Sequence, residues 1–191
     1  MDDDELALER RECLPDALRV LLQDYPREAW KADPNFSALI RFWLDRHLMF
    51  RRLLGMMQDE TEKSLDRAME PRTYAAHLSR YGSMFAGELH GHHAIEDAHY
   101  FPHLKSLDTR LERGFDILDR DHHDIDAHLA GFAGDANAVL RAVAAAGDPV
   151  DSIARLKARL ADTQRFLDRH LTDEEELVVP VLLKFAPAGL V

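Results

Sequence analysis

Eleven histidines stand beside a single cysteine, Cys13, in a chain of 191 residues. One cysteine excludes an intrachain disulfide, a four-thiolate zinc site and an all-cysteine iron–sulfur cluster. Any bound metal must therefore be held by imidazoles and oxygens. Two histidines open matching segments, HHAIEDAHYFP from His92 and HLTDEEELVVP from His170. Each has a Glu four residues on (Glu96, Glu174), a second acid after it and a Pro at plus ten. On a helix, His-x-x-x-Glu puts both groups on one face, about 5–6 Å apart at Cβ, where they can meet one ion or neighbouring ions.

Such groups need elements to carry them, and the apolar pattern supplies four. From residue 35 onward apolar residues recur every three or four positions, the period of a helix. The runs centre on Trp43 and Phe50, Phe85 and Leu89, Leu118 and Ile125, and Leu167 and Leu177. Glu70-Pro71, Ser106-Leu107-Asp108 and Gly147-Asp148-Pro149 divide them with residues that cap or open helices. Short connections between long helices predict an all-α fold, an antiparallel up-down-up-down four-helix bundle. The Val-rich LVVPVLL reads as the end of the fourth helix, because no second strand exists to pair with it.

Polar residues interrupt every run where the core should be: His47, His92 with Glu96, His122, and His170 with Glu174. A buried polar group left unpaired costs roughly 1–3 kcal/mol, and six exceed what a net stability of roughly 5–15 kcal/mol tolerates. The interruptions also share a height. From His47 to the turn near residue 69 is 22 residues, and on to His92 is 23. The two later turns give 14 against 16 and 25 against 23. At about 1.5 Å of rise per residue, the mismatch is at most about 3 Å.

Histidines are doubled at 92–93 and 122–123, and the internal repeat chooses between them. A shift by one would pair His93 and Asp97 with Leu171 and Glu175, and leucine binds no metal. His47 and His122 are each followed by apolar residues at plus three and plus seven, whereas His123 would align with Leu48. The frame is therefore His47, His92, Glu96, His122, His170 and Glu174. Four imidazoles and two carboxylates exceed one tetrahedral ion, while two carboxylates can bridge a metal pair. Nitrogen and oxygen donors without thiolate suit iron, manganese or zinc, iron first for a paired site. His99 and His103 continue the inward stripe as core or channel histidines. His90, His93, His123 and His128 fall toward the helix flanks, and Asp97, Glu175 and Glu176 read as solvated acids or partners of ligand histidines.

Twenty-four basic against 35 acidic residues give a net charge of −11, which argues against binding a nucleic-acid backbone. MDDDELALERRE has no apolar stretch of the secretory kind, and no apolar run reaches the roughly 18–20 residues of a membrane span. A cytoplasmic protein is the expectation. Residues 1–34 hold ten acids and five bases, with Leu6, Leu14, Leu18, Leu21 and Leu22 at helical spacing. They read as a helical arm, one amphipathic helix or a pair divided near Pro15, resting on a main domain of residues 35–191. The arm offers an acidic surface to a protein partner, and the chain is expected as a monomer or homodimer.

These residues resemble the hemerythrin-like (HHE cation-binding) family of non-haem di-iron proteins, over about residues 36–186. HHAIEDAHYFP is similar to the family's HHxxEExxLFP segment. The resemblance implies that His47, His92, His122 and His170 are terminal ligands of two irons. Glu96 and Glu174 would bridge them together with a solvent-derived oxo or hydroxo group, with manganese or zinc less favoured. One position departs from the oxygen carriers, which place a second His four residues after the third-helix His. Here Asp126 stands in that place. Either Asp126 coordinates, which would favour the ferric state, or that iron keeps another open position.

Three functions follow from such a centre. It could bind or react with oxygen, peroxide or nitric oxide. It could store or donate iron. It could sense iron as an interaction module without turnover.

Overall fold

The computed structural model describes residues 5–187. Among the described residues five α-helices follow the arm: α1 (Ala38–Leu65), α2 (Pro71–Ile95), α3 (Phe101–Leu107), α4 (Glu112–Ala144) and α5 (Val150–Phe185). No strand occurs among the described residues. The ends fall where the sequence places capping groups. Ser37 Oγ accepts the Ile40 N–H at 3.3 Å, and Glu70 accepts the Thr73 N–H at 3.0 Å ahead of Pro71. Asp148 accepts the Val150 N–H at 3.1 Å, with Pro149 between them. Arg67 (φ 58°) and Ala146 (φ 52°) turn left-handed after α1 and α4, and the Gly147 N–H closes onto Ala142 O at 3.1 Å. Removing one cap is a modest loss. Asp148→Ala is expected to cost about 1 kcal/mol in a denaturant melt and to leave metal content unchanged.

Between α2 and α3 the helix widens into a π turn, Glu96–Tyr100, in which the Phe101 N–H bonds to Glu96 O. Pro102 has no N–H to give, and its ring crowds the carbonyl a turn earlier, which favours a wider turn. The extra residue rotates everything that follows. Five positions separate Glu96 from the next buried residue, Phe101, and Leu104 comes after it. His99 and His103, expected to continue the inward stripe, are therefore exposed.

The chain divides into two compact units, each containing a stretch of α1, α2 or its continuation, α4 and α5. One takes in Met49–His92 and Asp124–Leu167. Its core is aromatic: Phe85 packs edge-on to Phe50 and to Phe132, with centroids 6.4 and 6.0 Å away. Tyr74 and Thr61 share a buried hydrogen bond of 2.8 Å between α2 and α1. Burial lifts the Tyr74 hydroxyl to about 12, so it stays a neutral donor.

The other unit takes in the described residues up to Leu48, His93–His123, and the described residues from Asp168 onward. Its core joins Ile40 and Trp43 of α1, Phe101 and Leu104 of α3, Phe115 and Leu118 of α4, and the Leu177–Leu183 stretch of α5. LVVPVLL is helix, continuous through Pro180. The arm belongs to this unit, with Leu6, Leu14, Leu21 and Trp30 buried. It is helical in short 3₁₀ turns, Asp16–Leu18, Val20–Leu22 and Arg27–Ala32, not in a continuous amphipathic α-helix. Prolines at 15 and 26 precede two of these turns, and chain between prolines is too short to nucleate an α-helix. No described helix is long and apolar enough to cross a membrane.

Candidate metal centre

Among the described residues, two groups of donors lie inside the protein. His47, His92, Glu96 and Glu174 each offer a ligand atom within 4.8 Å of the others, as do His93, His122 and His170. All are buried except His92, which is half-buried. His47 comes from α1, His92 and His93 from the last turn of α2, and Glu96 from the first position of the π turn. His122 comes from α4, and His170 and Glu174 from one face of α5. Glu174 ties the groups together. Its Oε2 is 3.5 Å from His47 Nε2 and 3.5 Å from His170 Nε2, while Glu96 Oε2 is 3.7 Å from His122 Nε2.

The imidazoles are aimed by carboxylates behind them. His47 Nδ1–H donates to Glu175 at 3.0 Å, His122 Nδ1–H to Asp97 at 2.7 Å, and His170 Nδ1–H to Asp121 at 3.3 Å. Spending Nδ1–H this way fixes the tautomer that leaves the Nε2 lone pair toward the centre. The Trp43 indole N–H fixes Glu174 in the same sense, donating to Oε1 at 2.5 Å so that Oε2 faces the histidines. His122 lies between the rings of His93 (3.9 Å, nearly parallel) and Phe101 (5.4 Å).

These residues fit a metal. His122 Nε2 and His170 Nε2 are buried with no hydrogen-bond partner, which a folded protein rarely tolerates unless an ion takes up the lone pair. Glu96 and Glu174 are buried together, and Glu96 is raised well above the ordinary carboxylate range, first by burial and then by the charge of Glu174. Burial draws His47 downward, but Glu174 and Glu175 outweigh it and raise it. His170 is lowered, chiefly by burial. A cation between the carboxylates relieves the repulsion that raises Glu96.

A raised folded-state pKa stabilises the metal-free fold only while Glu96 keeps its proton. That contribution is full below the ordinary carboxylate range and lost as pH climbs through the folded value. Metal-free Glu96→Gln, which cannot ionise, is expected to gain stability relative to the metal-free parent as pH rises. Thermal melts of both across pH check this. A difference independent of pH would contradict it.

The structure gathers His47, His92, Glu96, His122, His170 and Glu174, and it places two further residues differently from the sequence reading. Asp126 is not brought to either group. Its side chain is 47 % exposed and lies 3.6 Å from the exposed His90. The inward stripe of α4 runs through Leu118, His122 and Ile125 on the side of Asp121, so plus four from His122 falls outside it. His93, read as a flank residue, is buried and lies against His122 and His170. The doubled His92-His93 was the available signal. Asp97 and Glu175 are hydrogen-bond partners of His122 and His47, while Glu176 pairs with Arg19 and Arg27.

Helices that enclose paired carboxylates among carboxylate-anchored histidines define a cation-binding all-α protein. The profile of the hemerythrin HHE cation binding domain matches residues 38–182, well over half the chain, and the chain belongs to that family. Comparison with curated proteins and with solved structures finds no match.

Proposed function

We propose that the protein holds two non-haem iron ions side by side and binds or reacts with a small ligand there: oxygen, peroxide or nitric oxide. His47 and His92 would hold one ion and His93, His122 and His170 the other, with Glu96 and Glu174 between them. The observation that carries this reading is the single Glu174 oxygen lying 3.5 Å from histidines of both groups. Nitrogen and oxygen donors without thiolate suit iron at a paired site. When bound there, a pair of ferrous ions would supply up to one electron each to a small molecule.

The chain's own residues set the terms. Glu175, Asp97 and Asp121 hold three imidazoles in the tautomer a metal needs. Trp43 holds Glu174. Near-complete burial of His47, His170, Glu96 and Glu174 keeps bulk water from the centre and strengthens every charge interaction in it. The His47–His92 side has one imidazole fewer, so an added ligand finds its place there. A cytoplasmic setting fits an exposed, free Cys13.

The test is to reduce the iron-loaded protein and add oxygen, peroxide or nitric oxide in a stopped-flow spectrometer. The reading expects charge-transfer bands that form on mixing and are absent from a His47→Ala protein. An iron-loaded protein that is spectrally inert to all three, yet passes its iron to a metal-free acceptor, would favour storage or donation instead.

A further inference from the structure

The family domain begins at residue 38, yet two arginines ahead of it reach the carboxylates that aim the histidines. Arg11 is buried in the first described stretch of the arm. Its guanidinium forks onto Asp121, Nη1 to Oδ1 at 2.9 Å and Nη2 to Oδ2, while Nε donates to Asp173 at 2.8 Å. Asp121 Oδ2 is the atom that receives His170 Nδ1–H. Arg27 Nη1 donates to Glu175 Oε2 at 2.5 Å, and the other oxygen of Glu175 receives His47 Nδ1–H. Each arginine thus stands behind one of the carboxylates that bond a histidine: Arg11 behind Asp121 and His170, Arg27 behind Glu175 and His47. The two histidines belong to different donor groups.

We propose that the N-terminal arm is part of the metal centre: Arg11 and Arg27 are positioning residues that fix His170 and His47 through Asp121 and Glu175, one arginine for each ion. A planar guanidinium holding both oxygens of Asp121 leaves that carboxylate one orientation, and Lys cannot reproduce the fork. Asp97, which holds His122, pairs with that histidine alone among the described residues, so the arginine-backed relays are confined to His170 and His47. The arm also supplies its own control. Arg19 pairs with Glu176, which lies on α5 beside Glu175, and among the described residues the ion-pair partners of Glu176 are Arg19 and Arg27, not a histidine.

This inference rests on the two-ion reading, and one experiment separates them. Full-length parent, Arg11→Met, Arg11→Lys, Arg27→Met and Arg19→Met are loaded with ferrous iron without oxygen, and iron release to a chelator is followed in time. The parent is expected to release its ions in two phases. Arg27→Met should weaken the hold on one ion about tenfold and Arg11→Met the hold on the other, as loss of a ligand's supporting partner does. Arg11→Lys should fall between parent and Met, and Arg19→Met should match the parent. Arg27 is half-exposed, so its variant is expected to fold even where Arg11→Met does not. Equal acceleration of release by Arg19→Met, or parental release from both Arg27→Met and Arg11→Lys, overturns the proposal while the two-ion reading stands. A parent that takes up no iron overturns both.

Discussion

Glu174→Gln is expected to release both ions, although the change is nearly isosteric. The Trp43 N–H lies 2.5 Å from Oε1 and demands an acceptor, so the amide oxygen must stay on that side. The amide NH2 then faces His47 Nε2 and His170 Nε2, where Oε2 lay 3.5 Å from each. An NH2 group has no lone pair to give a metal. The substitution therefore removes a donor from both groups at once, together with the buried charge of Glu174 that raises Glu96. The metal-free fold should survive, since the neighbour of Glu96 is now neutral. Iron content after anaerobic loading and gel filtration measures the effect. A protein that keeps one ion as tightly as the parent would show that Glu174 serves a single position.

The second large effect separates His93 from Asp126. His93→Leu is expected to lose the ion at His122 and His170 and to keep the other, which relies on His47 and His92. Asp126→Ala is expected to match the parent in iron content and spectrum, because that carboxylate is half-exposed and paired with His90. Leucine fills much of the imidazole volume, so a loss of iron reports a missing ligand, not a collapsed cavity. Loss of iron in Asp126→Ala with full retention in His93→Leu would reverse the assignment.

His93 shows where sequence reasoning stopped. The internal repeat sets His93 opposite Leu171, and leucine binds no metal, so the repeat points to His92 alone. The donor set is not symmetric. Adjacent residues on α2 lie about 100° apart, and His92 and His93 use that angle to serve different groups. His47, His92, Glu96, His122, His170 and Glu174 come close together because each sits on the shared apolar stripe, at one height, and both properties are written in residue spacing. The repeat fails one residue to the side. Likewise, an unbroken 3.6-residue period puts His99 and His103 on the inward stripe, and the π turn ahead of Pro102 takes them out of it. Pro180, at the matching place in α5, leaves that helix continuous, so proline alone did not announce the widening.

The four long helices were legible throughout, since caps at Glu70, Asp108 and Asp148 agreed with the apolar period. The partners of the arm were not. Arg11 meets Asp121 and Asp173 across more than a hundred residues of sequence, and nothing in the spacing of an acidic arm marks one arginine as buried. Such pairings arise from tertiary packing. α5 is buried on nearly every side from Phe166 to Leu183, which required something to cover its outer face.

Metal stoichiometry tests the central claim most directly. The full-length protein is loaded with ferrous iron without oxygen, desalted, and assayed for iron per chain beside its absorption spectrum after exposure to air. Two irons per chain, with charge-transfer bands of a bridged pair that vanish on reduction, is the result this account predicts. A protein that stays iron-free, or that binds a single ion unaffected by Glu174→Gln, would contradict it.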